Sequence, residues 1–169
     1  MKKLMAGAFA LSMASNAFAT ASFDFGSVWF FPRYDTNVGD NLSGQGQSFA
    51  ANWDLDNDLI VGAYNESIDL TDGYGNTYPW STTAINISKG VVKNASIGLH
   101  LGTFYQNYND YTGMLTDVFG NVTLMSGSAD KVSGSLKAQF GGRFAREYEN
   151  GDDDDFSGYY ISLAVGIGI

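Results

Sequence analysis

The stretch that most limits what this chain can become is Phe156 to Ile169, FSGYYISLAVGIGI. From Tyr159 onward every odd position is large and apolar: Tyr159, Ile161, Leu163, Val165, Ile167 and Ile169. The even positions are small (Gly158, Ser162, Ala164, Gly166, Gly168), with Tyr160 the exception. A period of two marks a strand with one face in an apolar medium. The other face carries almost nothing that builds a thick core. Such a strand fits a barrel closed by its last strand, with the apolar side turned outward.

Seven more segments repeat the pattern. Residues 22–31 put Phe23, Phe25, Trp29 and Phe31 on one face and Asp24, Gly26 and Val28 on the other, and Pro32 ends the run. Residues 48–55 set Phe49, Ala51, Trp53 and Leu55 against Ser48, Ala50, Asn52 and Asp54. Residues 59–70 allow two phases. Turning the odd positions outward hides Glu66, and a charge facing lipid costs a few kcal/mol near mid-membrane, so that phase is preferred. Residues 81–90, 95–106, 116–126 (the weakest) and 134–148 complete the set. Polar loops at Arg33 to Gln47, Asp72 to Trp80, Asn107 to Gly113 and Glu149 to Asp155 alternate with short turns near Asp56 to Asp58, Val91 to Asn94 and Ser128 to Lys131. That rhythm belongs to an all-β, eight-stranded antiparallel up-and-down transmembrane β-barrel. Aromatics near the strand ends would form its two girdles: Phe23, Phe25 and Trp53 toward the turns, and Trp29, Phe31, Phe49, Trp80, Tyr105, Tyr148 and Tyr159 toward the loops.

Residues 1–19 read as a secretory signal peptide, with Lys2 and Lys3, an apolar run from Leu4 to Met13, and an Ala17-Phe18-Ala19 cleavage site. The remaining residues, 20–169, make one domain. No cysteine is present, so disulfides and thiolate metal sites are excluded. Without Lys2 and Lys3, seven basic residues face 18 acidic ones. Nucleic acid is therefore not an expected partner, because phosphate binding needs basic surface.

The interior of so small a barrel is filled by side chains, and charges there must pair. Asp24, Glu66, His100, Lys137, Arg143 and Glu147, with Asp54, are the candidates for a polar lumen network. Its sharper reading is a narrow gated pore. Asp54-x-Asp56-x-Asp58 imitates the start of a calcium loop, but Leu59 stands where a glycine is needed and Asn65 where a glutamate is needed. Asp152, Asp153, Asp154 and Asp155 form an acidic loop and a candidate cation-binding segment. Five N-x-S/T triplets, starting at Asn41, Asn65, Asn86, Asn94 and Asn121, reflect the richness in Asn, Ser and Thr.

Signal peptide, strand count and the segment NWDLDNDLIVGAY together resemble the small outer-membrane barrels, such as the OmpX/Ail group and the OmpA membrane domain. The last eight residues, SLAVGIGI, are similar to the terminal assembly signal of that class. Ala164 stands there in place of the usual Gly, and Ile169 in place of the terminal aromatic. The resemblance implies a bacterial outer-membrane location, contact with outer-membrane lipid and the barrel-assembly machinery, and a monomer without cofactors. It also implies a structural or adhesion-like role in which loops meet lipopolysaccharide or a surface ligand. Three alternatives are a soluble lipocalin-like ligand-binding barrel, a narrow channel and a lipid-modifying barrel enzyme. Lipid A deacylases of similar size carry an H-x-S pairing, which is absent here because Gly102 follows His100 by two. No catalytic residue is expected.

Overall fold

Eight strands form: β1 (Thr20–Pro32), β2 (Ser43–Asp54), β3 (Leu59–Thr71), β4 (Thr77–Val92), β5 (Ala95–Gln106), β6 (Tyr111–Ala129), β7 (Val132–Glu147) and β8 (Gly158–Gly168). Each pairs antiparallel with the next, and β1 pairs with β8, so the sheet closes into a barrel. The computed structural model describes residues 20–33, 42–107, 111–129, 132–147 and 155–169, with backbone alone at Asp56 and Tyr111. The expected signal peptide, Tyr148 and Asp152 to Asp154 lie outside the described residues.

The register sets the size of the interior. A row of partners starting at Val165 runs through Phe25, Phe49, Asn65, Thr83, Thr103, Met114 and Arg146. It returns to β8's flank at Asp155, ten residues from its start. Such a stagger obliges the strands to tilt, and eight tilted strands leave an interior that side chains fill.

Alternation decides which side chains go where. Phe25, Ile85, Ile97, Leu101, Val118, Phe140, Phe144, Ile161, Leu163 and Val165 point out and are exposed. Glu66, His100, Asp117 and Arg143 point in and are buried. β3 takes the odd-outward phase, with Glu66 inside. The molecule is thus apolar on the outside and charged at its centre, the reverse of a water-soluble protein.

Three connections at one end, the turn end, are short. Between β2 and β3, Leu55 N–H donates to the Leu59 carbonyl at 2.7 Å. There Asn57 and Asp58 adopt left-handed φ values of 64° and 59°, which Asn and Asp tolerate best among residues with a Cβ. The DxDxD segment is a tight turn.

Several boundaries differ from the sequence reading. β2 starts at Ser43, inside the stretch read as loop, because its inward positions are Gly44 and Gly46 and so carry no apolar signal. A Cβ on Gly46 would run into the Ser67 carbonyl and the Ile68 backbone, and one on Gly44 into the Ile68 and Leu70 side chains. Close approach of β2 to β3 thus requires these glycines. β4 starts at Thr77, and β6, read as the weakest strand, runs for 19 residues. Phe49, expected at the loop rim, pairs with Phe25, their rings 5.0 Å apart.

Trp80 is a correction. It was expected in the outer aromatic girdle, yet it points into the lumen and is 1 % exposed. Thr77, Pro79, Ser81 and Thr83 take the outward positions of β4, and the indole stacks on Phe104 with ring centroids 4.2 Å apart.

Candidate functional site

The lumen has three layers. An apolar cluster of Val28, Phe30, Ile68, Leu70, Trp80, Phe104, Leu115, Phe119, Ala145, Phe156 and Tyr160 plugs the loop end, with Phe119 reaching past the charges to the turn side, against His100. Phe156 meets Trp80 and Phe104 edge-on, at 5.6 and 5.8 Å. In the sequence these inward aromatics are masked by the more regular outward apolar stripe. Tyr160, the one large residue on the small face of β8, was their only visible sign.

Beneath the plug sits a charge cluster around Arg143. Its Nε and Nη2 donate to the two oxygens of Asp117, each at 2.9 Å. Nη1 donates to Glu66 Oε1, and Nη2 to Glu66 Oε2 at 3.1 Å. One guanidinium therefore forks onto two carboxylates, a geometry lysine cannot supply. Phe30 and Tyr160 lie against it, 4.8 and 5.0 Å from ring centroid to Cζ. Glu66 also accepts from Tyr64 Oη at 2.7 Å and Thr82 Oγ1 at 2.8 Å, and Thr82 Oγ1 accepts from Trp80 Nε1 at 2.9 Å. His100 Nδ1 lies 3.1 Å from Asp117 Oδ2, and its ring stacks on Tyr64 at 4.0 Å. The cluster joins β3, β4, β5, β6 and β7, with β1 and β8 supplying the flanking rings.

Asp117 was missed in the sequence. It lies on the strand with the weakest alternation, where Thr116 and Gly120 interrupt the outward apolar positions. Its alternation with Val118 was the available signal.

The third layer, toward the turn end, is polar and open. Lys137 Nζ donates to both oxygens of Asp24, at 2.8 and 2.9 Å. Asn52 Nδ2 donates to Asp24 at 3.1 Å, and Asn86 Nδ2 to Asn52 Oδ1 at 2.7 Å. Around them is a cavity of about 250 Å³ whose polar lining includes Ser22, Ser48, Asn121, Ser135, Gln139 and Asp54, with Ile60, Ala164 and Ile167 among the apolar residues beside them. Tyr64, His100 and Phe119 form its blind end.

Of the expected network, Asp24 and Lys137 pair in the lower layer, while Glu66, His100 and Arg143 gather in the middle. Glu147 is buried at the loop end of β7. Of the girdle, Phe23, Trp29, Phe31, Trp53, Tyr105 and Tyr159 occupy outward strand positions. Asp155 accepts from the Ser157 N–H at 2.9 Å, and its backbone bridges to Arg146. Among the described residues no three His, Asp or Glu side chains gather as a metal ion needs.

At the loop end, Asp72 organises the β3–β4 connection. Its carboxylate accepts from the Tyr74 and Asn76 N–H groups, both at 2.9 Å, from Asn76 Nδ2 at 2.8 Å and from Tyr78 Oη at 2.7 Å. These bonds, led by that from the Asn76 side chain, hold its pKa at about 2.

No protein-family model and no curated protein matches the chain. Among solved structures it is similar to the outer-membrane protein Ail of Yersinia pestis in a phospholipid bilayer nanodisc. Identity is 9 %, the match covers 89 % of this chain and 99 % of that one, and the TM-score is 0.52. The fold resembles that of the small outer-membrane barrels. A match to OprG of Pseudomonas aeruginosa has 9 % identity, covers 89 % and 96 % of the two chains, and has a TM-score of 0.46.

Proposed function

We propose that this chain is a bacterial outer-membrane barrel that does not conduct and that acts as a structural or surface-interaction scaffold through its loop end. The observation that carries this reading is the sealed lumen. The Arg143–Glu66–Asp117–His100 cluster and the aromatic plug above it occupy the lumen between the open cavity and the loops. The apolar exterior supports a membrane location, because a soluble ligand-binding barrel needs a polar exterior. The leader expected at residues 1–19 supports export.

An enzymatic role has little to work with. Asp117 orients the His100 imidazole as a carboxylate does in hydrolytic triads. Among the described residues, however, no hydroxyl hydrogen-bonds to that ring, and at 2 % exposure it is walled off from the lipid side. The loops, polar and acidic, are where a partner would be met, with lipopolysaccharide or a surface ligand as the proposed class.

Reconstitution of the folded protein in planar bilayers tests the sealed lumen, and no steady conductance is expected. Recovery from the soluble periplasm without detergent would overturn the membrane reading. One observation favours a second reading, a narrow channel: the open cavity already occupies the turn-end part of the lumen. Under that reading the wild type conducts, and Arg143→Ala changes the conductance.

A further inference from the structure

The outer wall is lopsided. On β8 the outward positions are apolar from Tyr159 to Ile167, and Ile169 just beyond the strand continues the row. On β3 only Leu59, Val61 and Ala63 are apolar, and Asn65, Ser67, Asp69 and Thr71 follow them outward. β2 turns out Trp53, Ala51 and Phe49, then Gln47, Gln45 and Ser43. β4 has Ile87 and Ile85, then Thr83 and Ser81. Three alternate residues span about 13 Å of strand at ~3.3 Å per residue, roughly half of the ~25 Å apolar band such barrels carry. The opposite wall bears Val118, Phe140, Phe144, Ile161 and Leu163.

We propose that this polar wall, centred on Gln45, Gln47, Asn65 and Ser67, is the contact face for a second copy of the chain. The inference rests on the membrane location proposed above. Gln, Asn, Ser and Thr each both donate and accept hydrogen bonds, so a surface made of them is complementary to itself. Thr83 Oγ1 already donates to Asn65 Oδ1 at 3.0 Å on this outer surface. Polar side chains of this kind join membrane-embedded segments by bonding across their contact.

Among the described residues the loop-end half of this wall carries no Lys or Arg; Lys89, outward on β4, stands at the turn end beside Leu59 and donates to the Asn57 carbonyl, so a lipid phosphate level with Gln47 and Asn65 finds no cation there. The bilayer holds both copies upright, which leaves a two-fold axis parallel to the barrel axis. Within one chain Gln45 pairs with Asp69 and Gln47 with Ser67 across β2 and β3. An axis running between those strands repeats the same pairings between copies and keeps the two Asp69 carboxylates apart. A groove beside Trp29 and Phe31, bounded by Gln45, Gln47 and Asp69, lies along this face. The monomer expected from the sequence gives way, in this proposal, to a pair.

The absence of native cysteine makes the test direct. Gln47→Cys, Asn65→Cys and, on the opposite wall, Phe140→Cys are introduced singly, and each variant is checked for folding by its heat-shifted gel mobility. The membranes are oxidised, and a water-soluble maleimide reports access. Disulfide-linked dimers at Gln47 and Asn65 but not at Phe140 are expected. Replacing Gln45, Gln47, Asn65 and Ser67 by Leu should abolish cross-linking through a cysteine at Thr83. Equal cross-linking from both walls would overturn the proposal, as would none. In the second case, maleimide labelling of Gln47→Cys means that this wall stands clear of the bilayer, and protection means that lipid or another protein covers it. Labelling of Phe140→Cys would instead sink the membrane location itself.

Discussion

Arg143 is the residue on which the lumen turns. Burying two carboxylates is tolerable only while a fully bonded cation lies between them. Arg143→Met leaves Glu66 and Asp117 without their shared cation, Glu66 keeping only Tyr64 and Thr82 and Asp117 only His100, and is expected to cost about 3–5 kcal/mol in urea unfolding from liposomes. Adding Glu66→Leu and Asp117→Leu should recover most of that loss, because an apolar replacement of the whole cluster removes the desolvation cost along with the attraction. Lys137→Ala should matter less, since Lys137 and Asp24 remain in reach of water at 21 % and 14 % exposure. Asp72, in the β3–β4 connection at the loop end, gives a pH-dependent readout. Folding lowers its pKa from 3.8 to about 2. The stabilisation is therefore full above pH ~4 and is lost as pH falls toward 2. Amide exchange at Tyr74 and Asn76 should accelerate in that window, and Asp72→Ala should remove the dependence.

Among the elements, β2 and β3 depend on the absence of side chains. Gly46→Val should disrupt their pairing and lower the yield of folded, heat-modifiable barrel, because overpacking against backbone is relieved only by moving a strand. The same glycines explain what the sequence hid. Hydrophobic periodicity revealed all eight strands and the phase of β3, since the outward stripe carries that signal and Glu66 had to be hidden. It was silent at the start of β2, where the outward positions Ser43, Gln45 and Gln47 are polar and the inward ones, Gly44 and Gly46, carry no side chain. It misled at Trp80, where an aromatic near a strand end reads equally well as rim or plug. Asp24, Glu66, His100, Lys137, Arg143 and Glu147 stood out because each breaks an apolar pattern, whereas Asp117, on the least regular strand, did not. Their partners were not, because pairing depends on the stagger between strands, and the stagger is a property of the closed sheet.

For the whole molecule, the lopsided belt makes substitution costs depend on the wall. Leu163→Arg faces the apolar side and should cost about 2–4 kcal/mol in bilayer unfolding. Thr83→Arg, on the polar wall, should cost less. Closure by β1 and β8 carries a kinetic consequence. Phe23 pairs with Ile167, so the contacts that complete the sheet join residues from opposite ends of the domain. Contacts so distant along the chain form slowly, since the loop-closure entropy is met before they reward it. Until β8 docks, β1 keeps an open edge that a neighbouring chain can occupy. An unfinished chain thus has no stable barrel to fall into; under the membrane location proposed above, this keeps the chain open until it meets its bilayer and leaves it dependent on protection from aggregation until then.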